Sequence, residues 1–246
     1  MTKPKVTSTT TLREYVESLL VTIILALFGT TFLVQAFKIP SSSMEKTLLV
    51  GDHLLVNKFL FAQPELERSW LPYREVQRGD IVVFKYPFPP HQHFVKRVIG
   101  LPGDRLKVVD QQVYINGEPL EEPYKIHERP RSGVQFGDTF PVTDGYVAHW
   151  MGVEWAEEVA RLTEDDELLI PSGKYFVMGD NRDNSQDSRY WGFAGRTTII
   201  GRPLVIYWSF ANNPERNPRG GRGGVGRAIA DFFSRARWKR FFHLVR

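Results

Sequence analysis

Apolar and polar residues alternate in several short runs through the middle of the chain, which is the spacing typical of half-buried β-strands. The runs are separated by turn signals, of which Asn116-Gly117 is the strongest. The predicted strands are two around a Gly51-Asp52 turn within 48–58, then 81–86, 93–100, 106–115, 118–120, 173–178, 197–200 and 203–210. We therefore predict a mainly β fold, with antiparallel strands in a coiled or barrel-like sheet.

The pattern changes near the N-terminus, where 19–37 is a run of 19 residues without a charge. At 1.5 Å per residue a helix of this length approaches the ~30 Å hydrocarbon core of a bilayer, so we predict one N-terminal transmembrane helix. Basic residues precede the run (Lys3, Lys5 and Arg13), which favours a cytoplasmic N-terminus, although Lys38 follows it.

Two alternatives to an anchor remain open for this run. Val34-Gln35-Ala36 is compatible with the cleavage site of a secretory signal peptide, but the run exceeds the usual h-region of about 7–15 residues. A buried core helix is the other alternative, and an apolar run of this length near a terminus argues against it.

Four segments follow from these patterns. They are a cytoplasmic segment 1–18, the anchor 19–37, a β-rich domain 38–210 and a Gly/Arg-rich linker with a basic aromatic tail, 211–246. Within the β-rich domain, 121–168 mixes proline, glycine and charges and carries one short helical candidate, 154–162. We interpret it as a smaller inserted lobe.

Charge is distributed unevenly along the chain. The net charge is +4, but residues 214–246 hold nine Lys/Arg against two acids, so this tail is +7 and the rest is −3. A body of this charge does not suggest a groove for nucleic acid. The tail also holds five aromatics, which fits contact with anionic lipid, while a disordered basic tail is the alternative. Since the chain has no cysteine, disulfides and thiolate catalysis are excluded.

Three consecutive serines, Ser41, Ser42 and Ser43, follow the apolar run. A serine hydroxyl is a poor nucleophile until a base takes its proton. Lys96 shares a predicted strand face with Phe94 and Val98, and desolvation there would lower the pKa of its amine toward that of a general base. On spacing alone, an exposed strand lysine is the alternative.

Two stretches contain residue types that could bind a metal. His91-Gln92-His93 has the spacing of half a site but no obvious third ligand. Asp180, Asp183 and Asp187 have a spacing that suggests a calcium loop, yet the stretch lacks the glycine and the final glutamate of an EF-hand loop. An ordered loop held by its own hydrogen bonds is equally compatible.

Four stretches in order resemble the bacterial type I signal peptidase family, whose members use a Ser–Lys dyad. They are 40–48 (PSSSMEKTL), 78–84 (RGDIVVF), 96–104 (KRVIGLPGD) and 179–192 (GDNRDNSQDSRYWG). The last two are long and specific. The resemblance covers about 39–110 and 170–210, so neither 121–168 nor the tail belongs to it.

The resemblance implies a role for several side chains. Ser43 would be the nucleophile and Lys96 the general base. Ser41 would stabilise the oxyanion together with the Ser43 backbone N–H, and Ser185 would hydrogen-bond and orient the Lys96 amine. Two further residues, Asp187 and Arg189, would pair to support the loop around Ser185.

One position departs from the family pattern. The family usually has proline two residues after the methionine, where this chain has Lys46. Loss of that proline would loosen the turn after the nucleophile. We also expect the Lys46 charge to lower the pKa of Lys96, as like charges do.

The function implied by the resemblance is endoproteolytic removal of signal peptides from exported preproteins, through an acyl-enzyme and without a metal or cofactor. The expected partners are preproteins and the lipid bilayer, with no nucleic acid. The expected location is the bacterial inner membrane, single-pass, with the catalytic domain on the outer side. Another Ser–Lys protease of the self-cleaving type, or a catalytically silent membrane-anchored β module, remains an alternative.

Overall fold

The structure is a computed structural model that describes residues 8–30, 34–61, 73–88, 92–128, 139–142, 151–211 and 233–245. Thirteen β-strands dominate the described chain. They are β1 Val34–Lys38, β2 Asp52–Asn57, β3 Ile81–Lys85, β4 His93–Gly100, β5 Arg105–Val109, β6 Gln112–Ile115, β7 Glu118–Pro119, β8 Thr163–Glu164, β9 Glu167–Leu169, β10 Lys174–Met178, β11 Ala194–Gly195, β12 Ile199–Ser209 and β13 His243–Leu244. Three α-helices accompany them: α1 Ser8–Phe28, α2 Val153–Leu162 and α3 Ser188–Trp191. The prediction of a mainly β fold is confirmed.

The larger of two antiparallel sheets has the order β1-β2-β12-β3-β4-β10-β11, with β13 paired to β12. Its central strands are built from β-branched and aromatic residues that suit a buried pleated surface, as in β3, where Ile81 to Phe84 are all buried. Strand β12 contains Pro203, and the pairing of β12 with β2 shifts register next to this proline. A proline is tolerated at such a bulge because no ladder hydrogen bond is required there.

The smaller sheet has the order β7-β6-β5-β9-β8 and packs with α2. Its turns explain why the sequence pattern was misleading. Asp110 and Gln111 have φ of 48° and 67°, so 106–115 is two strands joined by a tight turn rather than the one strand predicted. The Asn116-Gly117 turn was predicted correctly, and both residues have positive φ as a type I′ hairpin requires.

The N-terminal run differs from its prediction. Helix α1 ends at Phe28, and the last residues of the apolar run, from Val34 onward, form β1, which pairs with β2. Among the helices of the described residues, none combines the length and the apolar character needed to cross a membrane. This end of the run is extended because its backbone pairs with β2 along the whole of β1.

A further prediction is wrong. Leu48 to Val50 do not form a strand, because the chain passes through turns from Ser41 to Gly51 before β2 begins. In the tail, 212–232 lie outside the described residues, 233–235 are helical, and a 3₁₀ turn, Trp238–Arg240, precedes β13. The lobe helix predicted at 154–162 is present as α2.

Candidate active site

The three serines lie on the connection between β1 and β2, which folds back over the large sheet toward β4. Two apolar side chains hold this connection in the core, since Met44 and Leu48 are buried with Leu54, Val56 and Ile206. Backbone hydrogen bonds tighten it further, with Leu48 N donating to the Met44 carbonyl across 2.7 Å. We call residues 42–48 the nucleophile turn.

Lys96 meets Ser43 at the centre of the site. Lys96 Nζ lies 2.6 Å from Ser43 Oγ, within hydrogen-bond distance. Both side chains are buried, with Lys96 4% and Ser43 7% exposed. Lys96 is therefore not the exposed strand lysine that spacing alone allowed.

Burial also changes the protonation of Lys96. Desolvation lowers the pKa of its amine from 10.5 to about 8, a trend that the nearby Arg189 reinforces and that Asp187 and Asp180 partly oppose. A lysine with this pKa is neutral in an appreciable fraction of molecules near neutral pH. A neutral amine within hydrogen-bond distance of a hydroxyl is able to accept its proton.

A buried ion pair joins the strand of Lys96 to the nucleophile turn. Arg97 forms a bidentate contact with Asp180, with Nε–Oδ1 and Nη2–Oδ2 distances of 2.7 Å. The same carboxylate accepts a hydrogen bond from Thr47 Oγ1 at 2.6 Å. Asn181 N donates to the Ser43 carbonyl at 3.1 Å, so this polar loop contacts the turn at two points.

Asp187 and Arg189 form the expected pair beneath the site. Arg189 Nε and Nη2 donate to the Asp187 carboxylate at 2.9 and 3.0 Å. Burial alone would raise the pKa of Asp187, but the charge and hydrogen bonds of Arg189 outweigh it and lower the pKa. The pair also fixes Gly179, whose N–H donates to Asp187 at 3.1 Å.

Ser185 differs from its expected contact. Its hydroxyl is fully buried, yet within the described part of the chain it makes no hydrogen bond, including none to Lys96. The Ser185 hydroxyl nevertheless helps to lower the pKa of Asp187, although its geometry is not that of a good hydrogen bond. A buried hydroxyl without a partner has a desolvation cost of about 1–3 kcal/mol, so it marks a position held for some other reason.

The other two serines occupy different environments. Ser41 Oγ lies 3.4 Å from Ser43 Oγ, close to the nucleophile. Ser42, to which the sequence assigned no role, accepts a hydrogen bond from Asn184 Nδ2 at 2.6 Å. Sequence reasoning missed this contact and the Arg97–Asp180 pair, although both polar partners lie in the long 179–192 motif.

Lys46 does not act as the sequence suggested. Its φ is 81°, which proline cannot adopt because its ring fixes φ near −65°. Its amine donates to the Pro123 carbonyl at 3.0 Å, and the charges that act on the pKa of Lys96 are those of Asp187, Arg189 and Asp180. A proline at this position would therefore require a backbone conformation different from the one that Lys46 adopts.

The candidate metal residues have other partners. Asp180 and Asp187 are paired with arginines, and Asp183 lies 2.9 Å from His127 Nδ1. In the part of the chain that the structure describes, no three His, Cys, Asp or Glu side chains cluster as a metal site. His91 lies outside the described residues.

Comparison with known proteins agrees with this arrangement. A family model for signal peptidase, peptidase S26, matches residues 12–208. Signal peptidase I of Pseudomonas aeruginosa is 36% identical over 226 residues, covering 86% of this chain and 78% of its own. Signal peptidase I of Aquifex aeolicus is 35% identical over 230 residues, covering 80% of this chain and 85% of its own.

These matches cover most of the chain and most of each relative. They show that the protein is a peptidase of the serine type. It belongs to the signal peptidase family, peptidase S26. A solved signal peptidase I from Enterococcus faecalis V583 is 32% identical and covers 52% of this chain and 97% of its own, with a TM-score of 0.35.

Proposed function

We propose that this peptidase removes N-terminal signal peptides from exported preproteins, with Ser43 as nucleophile and Lys96 as general base. The 2.6 Å contact between Lys96 Nζ and Ser43 Oγ inside the protein is the observation that carries the proposal. Family membership supports the substrate class, since the matched relatives are called signal peptidase I.

The proton and bond changes follow from this contact. The neutral Lys96 amine takes the hydroxyl proton while Ser43 Oγ forms a bond to the scissile carbonyl carbon. The resulting Lys96 ammonium then protonates the leaving amine as the peptide C–N bond breaks. In the second half, Lys96 takes a proton from water as the water oxygen bonds to the acyl carbon. The Lys96 ammonium then returns a proton to Ser43 Oγ as the ester C–O bond breaks, which restores both side chains.

The negative charge on the tetrahedral oxygen requires preorganised donors. We propose that Ser41 Oγ–H and the Ser43 backbone N–H supply them. The 3.4 Å distance between the Ser41 and Ser43 hydroxyl oxygens supports this role because it places Ser41 beside the reacting carbon.

We propose that Ser185 orients the Lys96 amine during the reaction. Its buried hydroxyl makes no hydrogen bond of good geometry among the described residues, so a rotation about χ1 toward Lys96 would give up only its weak interaction with Asp187. The ion pair of Asp187 and Arg189 would hold the loop in place during that rotation.

A membrane location for the enzyme belongs to the same proposal. The apolar residues of the second half of α1 are exposed: Leu19, Leu20, Val21, Ile23, Ile24, Leu25, Leu27 and Phe28. Apolar side chains exposed on all sides of a helix are suited to lipid rather than to water. We propose that α1 contacts the bacterial inner membrane, with the N-terminus cytoplasmic and the catalytic domain outside.

The orientation can be tested by cysteine labelling, because the chain has no cysteine of its own. An Arg13→Cys variant is expected to resist a membrane-impermeant maleimide in intact spheroplasts, whereas Lys85→Cys is expected to react. Permeabilised spheroplasts serve as the control and should label both. The reverse labelling pattern would show that the proposed orientation is wrong.

The tail offers a second lipid contact. Phe233, Trp238 and Phe242 are exposed, and Lys239 lies among them. We propose that this aromatic and basic surface contacts anionic lipid. Flotation of the full chain with neutral and with anionic vesicles tests this contact. The proposal would be wrong if binding changed neither with the anionic lipid content nor in a Lys239→Gln variant.

The function itself is tested by cleavage of a preprotein in trans. The wild-type chain is expected to release the signal peptide at one site, and Ser43→Ala is expected to lose essentially all of that activity because the nucleophile is gone. A Ser42→Ala variant is the matched control, since the Ser42 hydroxyl accepts a hydrogen bond from Asn184 and has no proposed role in the reaction. Full activity in Ser43→Ala would refute the proposal.

A further inference from the structure

The C-terminal segment packs directly behind the nucleophile turn. After β12 the chain returns at residue 233 and adds β13 to the large sheet, where Leu244 lies opposite Val205. Val245 is buried in the same cluster as Met44 and Leu48. The segment thus shares a core with the turn that carries Ser43, although the family match ends at residue 208.

Arg240 makes the closest polar contact between the two. Its Nη2 donates to the Thr47 carbonyl at 2.9 Å and to Asp52 Oδ2 at 2.6 Å, while Nε donates to Asp52 Oδ1 at 3.2 Å. Its side chain is 19% exposed and that of Asp52 is fully buried. A planar guanidinium can join a carboxylate and a carbonyl at once, which an ammonium on a flexible stem does less well.

Asp52 links Arg240 to further residues around the connection between β1 and β2. Its carboxylate accepts from Leu49 N at 2.8 Å and from Ser209 Oγ at 2.6 Å. Arg237 adds a hydrogen bond from Nη1 to the Val50 carbonyl at 3.0 Å. The stretch 47–52 is therefore hydrogen-bonded to the C-terminal segment at three positions, Thr47, Val50 and Asp52.

Thr47 contacts both the polar 179–192 loop and the C-terminal segment. Its hydroxyl donates to Asp180, which is paired with Arg97 next to the general base, and its carbonyl accepts from Arg240. The nucleophile turn is held from the catalytic side by Asp180 and from the opposite side by Arg240. If either Asp180 or Arg240 were replaced, the position of Ser43 would depend on the remaining one of these two contacts.

We propose that Arg240 is a positioning residue that completes the active site by fixing the nucleophile turn against Lys96. This inference rests on the proposed function of Ser43 and Lys96. Arg240 acts through Thr47 and Asp52 and does not touch substrate. The C-terminal segment, which lies outside the family match, is then part of the catalytic unit.

The test compares Arg240→Gln with Lys174→Gln in the full chain. Lys174 begins β10 and is exposed, so both variants lose one positive charge. Arg240→Gln is expected to lower kcat about tenfold or more, because small displacements of reacting groups cost large factors in rate. Its pH–rate midpoint is expected to rise, since a looser turn admits water to Lys96 and reduces desolvation. Arg240→Lys is expected to recover part of the rate.

Hydrogen exchange supplies a readout that does not need activity. Amides of residues 44–52 are expected to exchange faster in Arg240→Gln and to be unchanged in Lys174→Gln, while the amides of β4 keep their protection. If the wild type fails to cleave preproteins but this exchange pattern is seen, the positioning role stands and the assigned function does not. Equal kcat, pH midpoint and exchange in the two variants would overturn the role of Arg240, as would faster exchange across the whole chain.

Discussion

Replacing Lys96 by methionine is expected to reduce signal-peptide cleavage on the order of 10³- to 10⁴-fold. Methionine fills much of the same volume but cannot accept the Ser43 proton, and a positioned general base contributes about 10²- to 10⁴-fold to a rate. Lys96 Nζ is placed to take that proton because it lies 2.6 Å from Ser43 Oγ inside the protein. Steady-state cleavage of a preprotein measures the effect.

Stability measurements separate loss of the base from loss of the fold. The pKa of Lys96 is lowered from 10.5 to about 8, so the unfolded chain binds more protons than the folded one between those values. The contribution of Lys96 to the free energy of unfolding of the wild type therefore increases as pH rises from about 8 to about 10.5. Lys96→Met is expected to lack that gain and to be no less stable at pH 7.

Lys85→Met is the matched control for Lys96→Met. Lys85 ends the neighbouring strand β3 and is exposed, so its replacement is expected to leave cleavage unchanged. An equal loss in both variants, or near-normal activity in Lys96→Met, would contradict the assignment of the base.

Replacing Gly179 by alanine is the second change with a large expected effect. A Cβ at this position would lie 2.3 Å from Ser185 Oγ and 2.5 Å from the Ser43 carbonyl oxygen. Because one of these neighbours is backbone, the nucleophile turn or the 179–192 loop has to move. We expect kcat to fall about a hundredfold and the free energy of unfolding to fall by about 1–3 kcal/mol.

Gly195→Ala provides the matched control for this substitution. Its Cβ would come no closer than 3.8 Å to Thr198, an ordinary contact, and its φ is −74°, which suits any residue. We expect little change in kcat or in unfolding free energy. Unchanged activity of Gly179→Ala would show that the close packing of Ser43, Gly179 and Ser185 is not needed for catalysis.

The sequence predicted the strand of the proposed base because side-chain alternation is local. Phe94, Lys96 and Val98 were placed on one face, and Phe94 and Val98 do pack in one cluster while Val95 packs in another. The burial of Lys96 could not be predicted from spacing, because it depends on a turn 53 residues away that closes over β4. The family resemblance, rather than the pattern, named Ser43 among three adjacent serines.

Other features escaped the sequence because they depend on distant partners or on backbone twist. The apolar residues Leu48 to Val50 looked like a strand, but Leu48 is buried from within a turn. The apolar run 19–37 ends in a strand because β2 is available to pair with it. Arg240 gave no signal, since its partners Thr47 and Asp52 lie about 190 residues earlier in the chain.

The pH dependence of kcat/KM for preprotein cleavage by the wild type tests the Ser43–Lys96 assignment most directly. Because the free enzyme's Lys96 must be neutral and its pKa lies at about 8, the rate is expected to rise with unit slope up to that pH. The expected rise is roughly fiftyfold between pH 6 and pH 8, followed by a plateau. A profile that is flat over this range, or that has its midpoint at the ordinary lysine value near 10.5, would contradict the account.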